Sequence, residues 1–74
     1  MSANNMLSQK ELECLYLAAQ DFTTQESSKK LHRTIGTIKR HRMMILRKLG
    51  CNTMAGAVMV GMTMRLFDAD QVGT

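Results

Sequence analysis

Thr34-Ile35-Gly36-Thr37-Ile38-Lys39-Arg40-His41-Arg42-Met43-Met44-Ile45-Leu46-Arg47-Lys48-Leu49-Gly50 is the stretch whose reading decides the fold. A threonine opens it and a glycine closes it. These residue types suit a helix N-cap and the left-handed position just past a helix end. At about 100° per residue, Ile38, Ile45 and Leu49 fall on one stripe. Gly36, Arg40, Met43 and Arg47 fall on the opposite face, flanked by Lys39 and Met44. The spacing predicts a helix over 35–49 with one buried and one basic face. Arg42 projects beside the apolar stripe, so its stem is expected along the core edge with the guanidinium in water.

Upstream, Thr23-Thr24-Gln25-Glu26 has the form of a capping box, with Thr23 as cap and Glu26 reaching back. A short helix over 24–32 follows. Leu31 is its only large hydrophobe, beside the small Ser27 and Ser28, so it must pack closely on a neighbour to form at all. Ser8-Gln9-Lys10-Glu11 repeats the device ahead of Leu12, Leu15, Tyr16 and Ala19, which predicts a helix over 9–20 with Leu7 as its staple. Downstream, Asn52 or Thr53 caps a helix over 54–67 that is apolar nearly all round: Met54, Ala55, Ala57, Val58, Met59, Val60, Met62 and Met64. A surface helix needs only one apolar stripe. The surplus calls for a second copy of the chain to cover it, and Gly56 and Gly61 would permit close approach. A methionine-rich core filling irregular gaps is the plainer reading.

The 74 residues allow one domain and one modest core. The reading is all-α: a four-helix, bundle-like domain over 7–67, between a flexible leader at 1–6 and a polar tail at 68–74. From Lys29 to Lys48 the bases are Lys29, Lys30, Arg33, Lys39, Arg40, Arg42, Arg47 and Lys48, with no acid among them. Such a run can be a solvated face, but segregation this complete points to a polyanionic partner. Cys14 and Cys51 form no C-x-x-C and lie in apolar stretches, as small buried hydrophobes in a reducing compartment would. No secretory signal opens the chain, and its apolar stretch from Met54 to Met64 is too short to span a bilayer. A cytoplasmic, nucleoid-associated protein is expected, without membrane contact. His32 and His41 have no acidic or cysteine partners at ligand spacing, and no glycine-rich phosphate loop is present. No catalysis, metal, cofactor or small-molecule ligand is therefore expected.

A short helix, a tight turn and a basic helix make the helix-turn-helix arrangement, whose second helix lies in the major groove. The segment from Leu7 to Phe67 resembles the LuxR/GerE-type helix-turn-helix domain. That family's opening Leu-Thr-x-Arg-Glu-x-Glu is similar to Leu7-Ser8-Gln9-Lys10-Glu11-Leu12-Glu13. Its Thr-Val-Lys-x-His, then an aliphatic residue and Lys-Leu-Gly, match Thr37-Ile38-Lys39-Arg40-His41, Ile45 and Lys48-Leu49-Gly50; a later Ala-Val pair matches Ala57-Val58.

The resemblance implies that Lys39, Arg40 and Met43 face bases. It implies backbone-contacting or bracing roles for Thr37, His41 and Lys48, and for Thr23, Thr24 and Gln25 at the start of the second helix; Arg47 joins the backbone contacts. It also implies dimerisation through the last helix, for which Met54, Val58, Met59 and Met62 are the candidates. Ser27-Ser28 stand where the family has an aliphatic residue and Ala, and Arg33 stands where it has an aliphatic residue. Burying Arg33 unpaired would be costly, so the turn is expected to repack with Ile35 inward and Arg33 exposed. Met54 replaces the family's usual Arg after the third helix, and Met43 a commonly polar groove residue. The leading expectation is a stand-alone homodimeric regulator reading an inverted repeat in double-stranded DNA. Without a receiver or ligand-binding domain it would be governed by abundance, by a partner, or by the leader and tail. The competing expectation is a protein-interaction module that pairs with other LuxR-type regulators and antagonises or redirects them.

Overall fold

The computed structural model describes residues 7–67, and the expected leader and tail lie outside them. Among the described residues there are four helices and no strand: α1 Gln9–Ala19, α2 Thr24–Leu31, α3 Ile35–Leu49 and α4 Met54–Thr63. Each begins where a local hydroxyl dictates. Ser8 and Thr23 close complete capping boxes: their hydroxyls accept from the amides of Glu11 and Glu26, and those carboxylates accept from the cap amides at 2.9 Å. The Thr34 hydroxyl accepts from the Thr37 amide, and that of Thr53 from the Gly56 amide. Four orphan donors open every helix, and these caps remove part of that cost at each start.

The four helices also end alike. Asp21, His32, Gly50 and Arg65 all have positive φ, at 69°, 56°, 68° and 59°. In each case the amide of the following residue reaches back five positions: Phe22 to Leu17, Arg33 to Ser28, Cys51 to Leu46, and Leu66 to Gly61. The left-handed residue's own amide reaches back three. This is the Schellman closure. Only Gly50 meets it with the residue that has no Cβ to clash.

α1 packs against both α3 and α4, while α2 leans chiefly on α3. Leu15, Ile38 and Ile45 are fully buried at the centre, with Leu7, Cys14, Ala57 and Phe67 around them. Full burial of a side chain such as Leu15 or Ile38 contributes roughly 1.5–3 kcal/mol. α2 offers the core little. Its one fully buried residue is Ser27, whose hydroxyl finds no partner.

Three expectations are corrected. The last helix stops at Thr63 rather than running to Phe67, because the chain reverses at Arg65. Phe67 then folds back onto α1, edge-on to Tyr16 with ring centroids 6.3 Å apart. Gly61 makes room for it: a Cβ there would stand 2.9 Å from the Phe67 ring and 3.1 Å from Leu15. Second, Ile35 does not turn inward. It is 41% exposed at the first position of α3, while the half-buried Leu31 packs on the core beside the turn. Arg33 is exposed, as expected. Third, the Arg42 guanidinium is not left in water. Its Nη2 donates to the Phe22 carbonyl at 2.9 Å, tying α3 to the loop between α1 and α2.

Candidate nucleic-acid interface

Burial of Ile38 and Ile45 fixes how α3 is turned about its own axis. With those two inward, the residues 100–200° around the helix must face solvent. Lys39, Arg40, Met43 and Arg47 do so, with Met43 56% exposed. One accessible face therefore carries three cations and a thioether, and no acid of α3 opposes them. Thr37 and His41 occupy one flank and are half-buried. Thr37 is also held by the cap, since the Thr34 hydroxyl donates to its Oγ1 at 2.9 Å.

At the start of α2, Thr23 and Gln25 are exposed and Thr24 half-buried. The box engages the amides of Thr23 and Glu26. The amides of Thr24 and Gln25 face the helix end with no acceptor among the described residues. A helix start of this kind is suited to an oxyanion.

Lys48 is placed differently from the rest. It lies on the α1 side of α3, where its ammonium meets the Glu11 carboxylate at 2.8 Å. The same Glu11 oxygen accepts from the Ser8 amide, so one carboxylate caps α1 and braces α3. Burial alone would raise the Glu11 carboxyl. Lys48 and the Ser8 amide outweigh it, and the group sits below its ordinary value. The geometry shows Lys48 as a brace between helices.

On α4, Met54, Val58 and Met62 are half-buried and packed against the core, whereas Met59 is 64% exposed. Of the four expected interface residues, one is fully presented outward. Cys14 is buried and its thiol is pushed up by that burial; Cys51 is half-buried, and neither is bonded to the other. Among the described residues no cluster of His, Cys, Asp and Glu could hold a metal, and no helix is long and apolar enough to cross a membrane.

Two features had no local signal in the sequence. The Arg42–Phe22 bond joins residues twenty positions apart. Lys10 and Arg33 share a cleft with His41, and only the anomalous charge in the turn drew attention to Arg33.

The family model for bacterial regulatory proteins of the luxR family (GerE) matches residues 5–60. The chain belongs to the LuxR family. No characterised protein and no solved structure matches it. A LuxR-family chain is a DNA-binding regulator of the helix-turn-helix type, and here α2, the turn after it and α3 form that helix-turn-helix.

Proposed function

We propose that this protein is a sequence-specific regulator of transcription that binds double-stranded DNA as a homodimer, with α3 in the major groove of each half of an inverted repeat. The observation that carries the reading is the acid-free face of α3, whose orientation the buried Ile38 and Ile45 lock. Lys39 and Arg40 are the base readers, since both can donate to guanine O6 and N7. Met43, one turn on, offers apolar contact to a thymine methyl. Thr23, Thr24, Gln25, Thr37, His41 and Arg47 serve the sugar-phosphate backbone. Lys48 supports the reading helix through Glu11.

Pairing through α4 supplies the two-fold symmetry. α4 carries no charged residue, and Met59 is the large apolar side chain it turns fully outward. A two-fold dimer asks for half-sites about one turn of duplex apart.

Selection of bound duplexes from a random pool, followed by a salt series on the winners, tests this. A binder that neutralises several phosphates loses affinity with a log–log slope of about −0.9 per contact. Lys39→Ala should cost about 1–3 kcal/mol on the selected site and relax discrimination at one base position. An equal effect on selected and random duplexes would remove Lys39 from base reading. Flat or absent duplex binding, together with tight pairing to another LuxR-type regulator, would favour the protein-interaction role that the exposed Met59 also suits.

A further inference from the structure

Lys10, Glu13, Leu31, Arg33 and His41 line a cleft of about 50 Å³ at the junction of α1, the α2–α3 turn and α3. Each of the three helices contributes, so the cleft exists only in the folded domain. Its floor includes the half-buried Leu31, while Lys10, Glu13 and Arg33 are exposed at its rim and His41 is half-buried in its wall. No ion pair among the described residues engages Lys10, Arg33 or Glu13. The backbone of Arg33 is held at both ends: its amide donates to the Ser28 carbonyl at 3.0 Å, and its carbonyl accepts from the Ser28 hydroxyl at 2.6 Å. An unpaired guanidinium is thus mounted on a fixed point of the turn.

That point is the residue just before Thr34, the cap of α3. In the docking proposed above, the beginning of α3 enters the groove while α2 crosses the backbone, which brings the turn between them close to the phosphates at the groove edge. We infer that the cleft is a phosphate site that extends the footprint on DNA beyond the helix-turn-helix to α1. Arg33 supplies a planar fork matched to two phosphate oxygens. Lys10 adds a point charge, and His41 can donate from a ring N–H even when neutral. Glu13 is the opposing charge that keeps the site from binding every anion tightly. The inference rests on the major-groove reading and adds Lys10 and Arg33 to it.

The experiment pairs two readouts on the full chain, with circular dichroism confirming that each variant is helical. In a salt series on a selected duplex, Arg33→Leu and Lys10→Gln should each lower the magnitude of the slope by about 0.9 without changing the ranking of duplex sequences. Glu13→Gln should tighten binding to all duplexes alike. In a titration with inorganic phosphate followed by NMR, the His41 ring and Arg33 Nε–H signals should shift saturably in the parent protein, and the His41 ring signals should not shift in Arg33→Leu. Unchanged slopes in both variants overturn the backbone-contact role. If the phosphate shifts persist in that case, the cleft takes free phosphate and not the duplex. If the parent binds no duplex, the groove reading fails; absence of the phosphate shifts then overturns the site as well.

Discussion

The Ser27 hydroxyl is fully buried and unpaired, in the middle of a helix that contributes little else to the core. A buried donor without a partner costs about 1–3 kcal/mol, and serine is also a poorer helix former than alanine. Ser27→Ala should therefore raise the unfolding free energy by about 1 kcal/mol in a urea titration. A loss of stability would mean that the hydroxyl does have a partner. Glu11 is the opposite case, a carboxylate with more partners than exposure. Its folded value lies below its unfolded one, so its contribution is fully present above the ordinary carboxylate value of about 4.3. It is lost as pH falls through the lowered folded value. Glu11→Gln should cost on the order of 1–2 kcal/mol at neutral pH, and the two proteins should converge in strongly acid solution. Parallel profiles of unfolding free energy against pH would contradict the assignment.

Elements differ in how plainly they announce themselves. The starts of α1, α2 and α3 were legible because Ser8 with Glu11, Thr23 with Glu26, and Thr34 each act within one turn of chain. The end of α3 was legible for the same reason, through Gly50. The end of α4 was not, because what stops it is distant: Phe67 is drawn back against Tyr16 and Leu15, and Arg65 takes the left-handed turn without a glycine to mark it. Ile35 misled similarly. Sparing Arg33 from burial was expected to bring Ile35 inward, but Ile35 stands exposed at the first position of α3 and Leu31 packs on the core instead. The exposed basic face of α3 could be read from periodicity alone, whereas the Lys48–Glu11 brace and the Arg42–Phe22 tie could not, being long-range pairs. Two predictions belong at this scale. A left-handed L-residue costs roughly 1–2 kcal/mol, so His32→Gly should stabilise by about 0.5–1 kcal/mol after the added freedom of the unfolded chain is set against it. A fall in the thermal midpoint would show that the imidazole contributes more than its strain removes. For α4, Met59→Lys should turn the proposed dimer into a helical monomer by light scattering and circular dichroism; an unchanged mass would remove Met59 from the proposed pairing face.

At the scale of the whole molecule, a domain this small has only about 3–5 kcal/mol to lose. The contact between Gly61 and Phe67 matters in that light. Gly61→Ala gains about 1 kcal/mol of helix propensity but forces a Cβ to within 2.9 Å of the Phe67 ring. Overpacking of that kind costs about 1–3 kcal/mol, so a lower urea midpoint is expected; a higher one would mean that the ring gives way freely. The same contact bears on where the domain can be cut. The family match ends at residue 60, yet the aromatic side chain that seals the base of α1 comes seven positions later. A fragment or reporter fusion trimmed at residue 60 would retain the whole of α3 and still lack its plug. It would bind hydrophobic dyes and yield to proteases while the longer chain resists them. The working boundary of this domain is set by a ring packed on α1, outside the exposed basic face of α3.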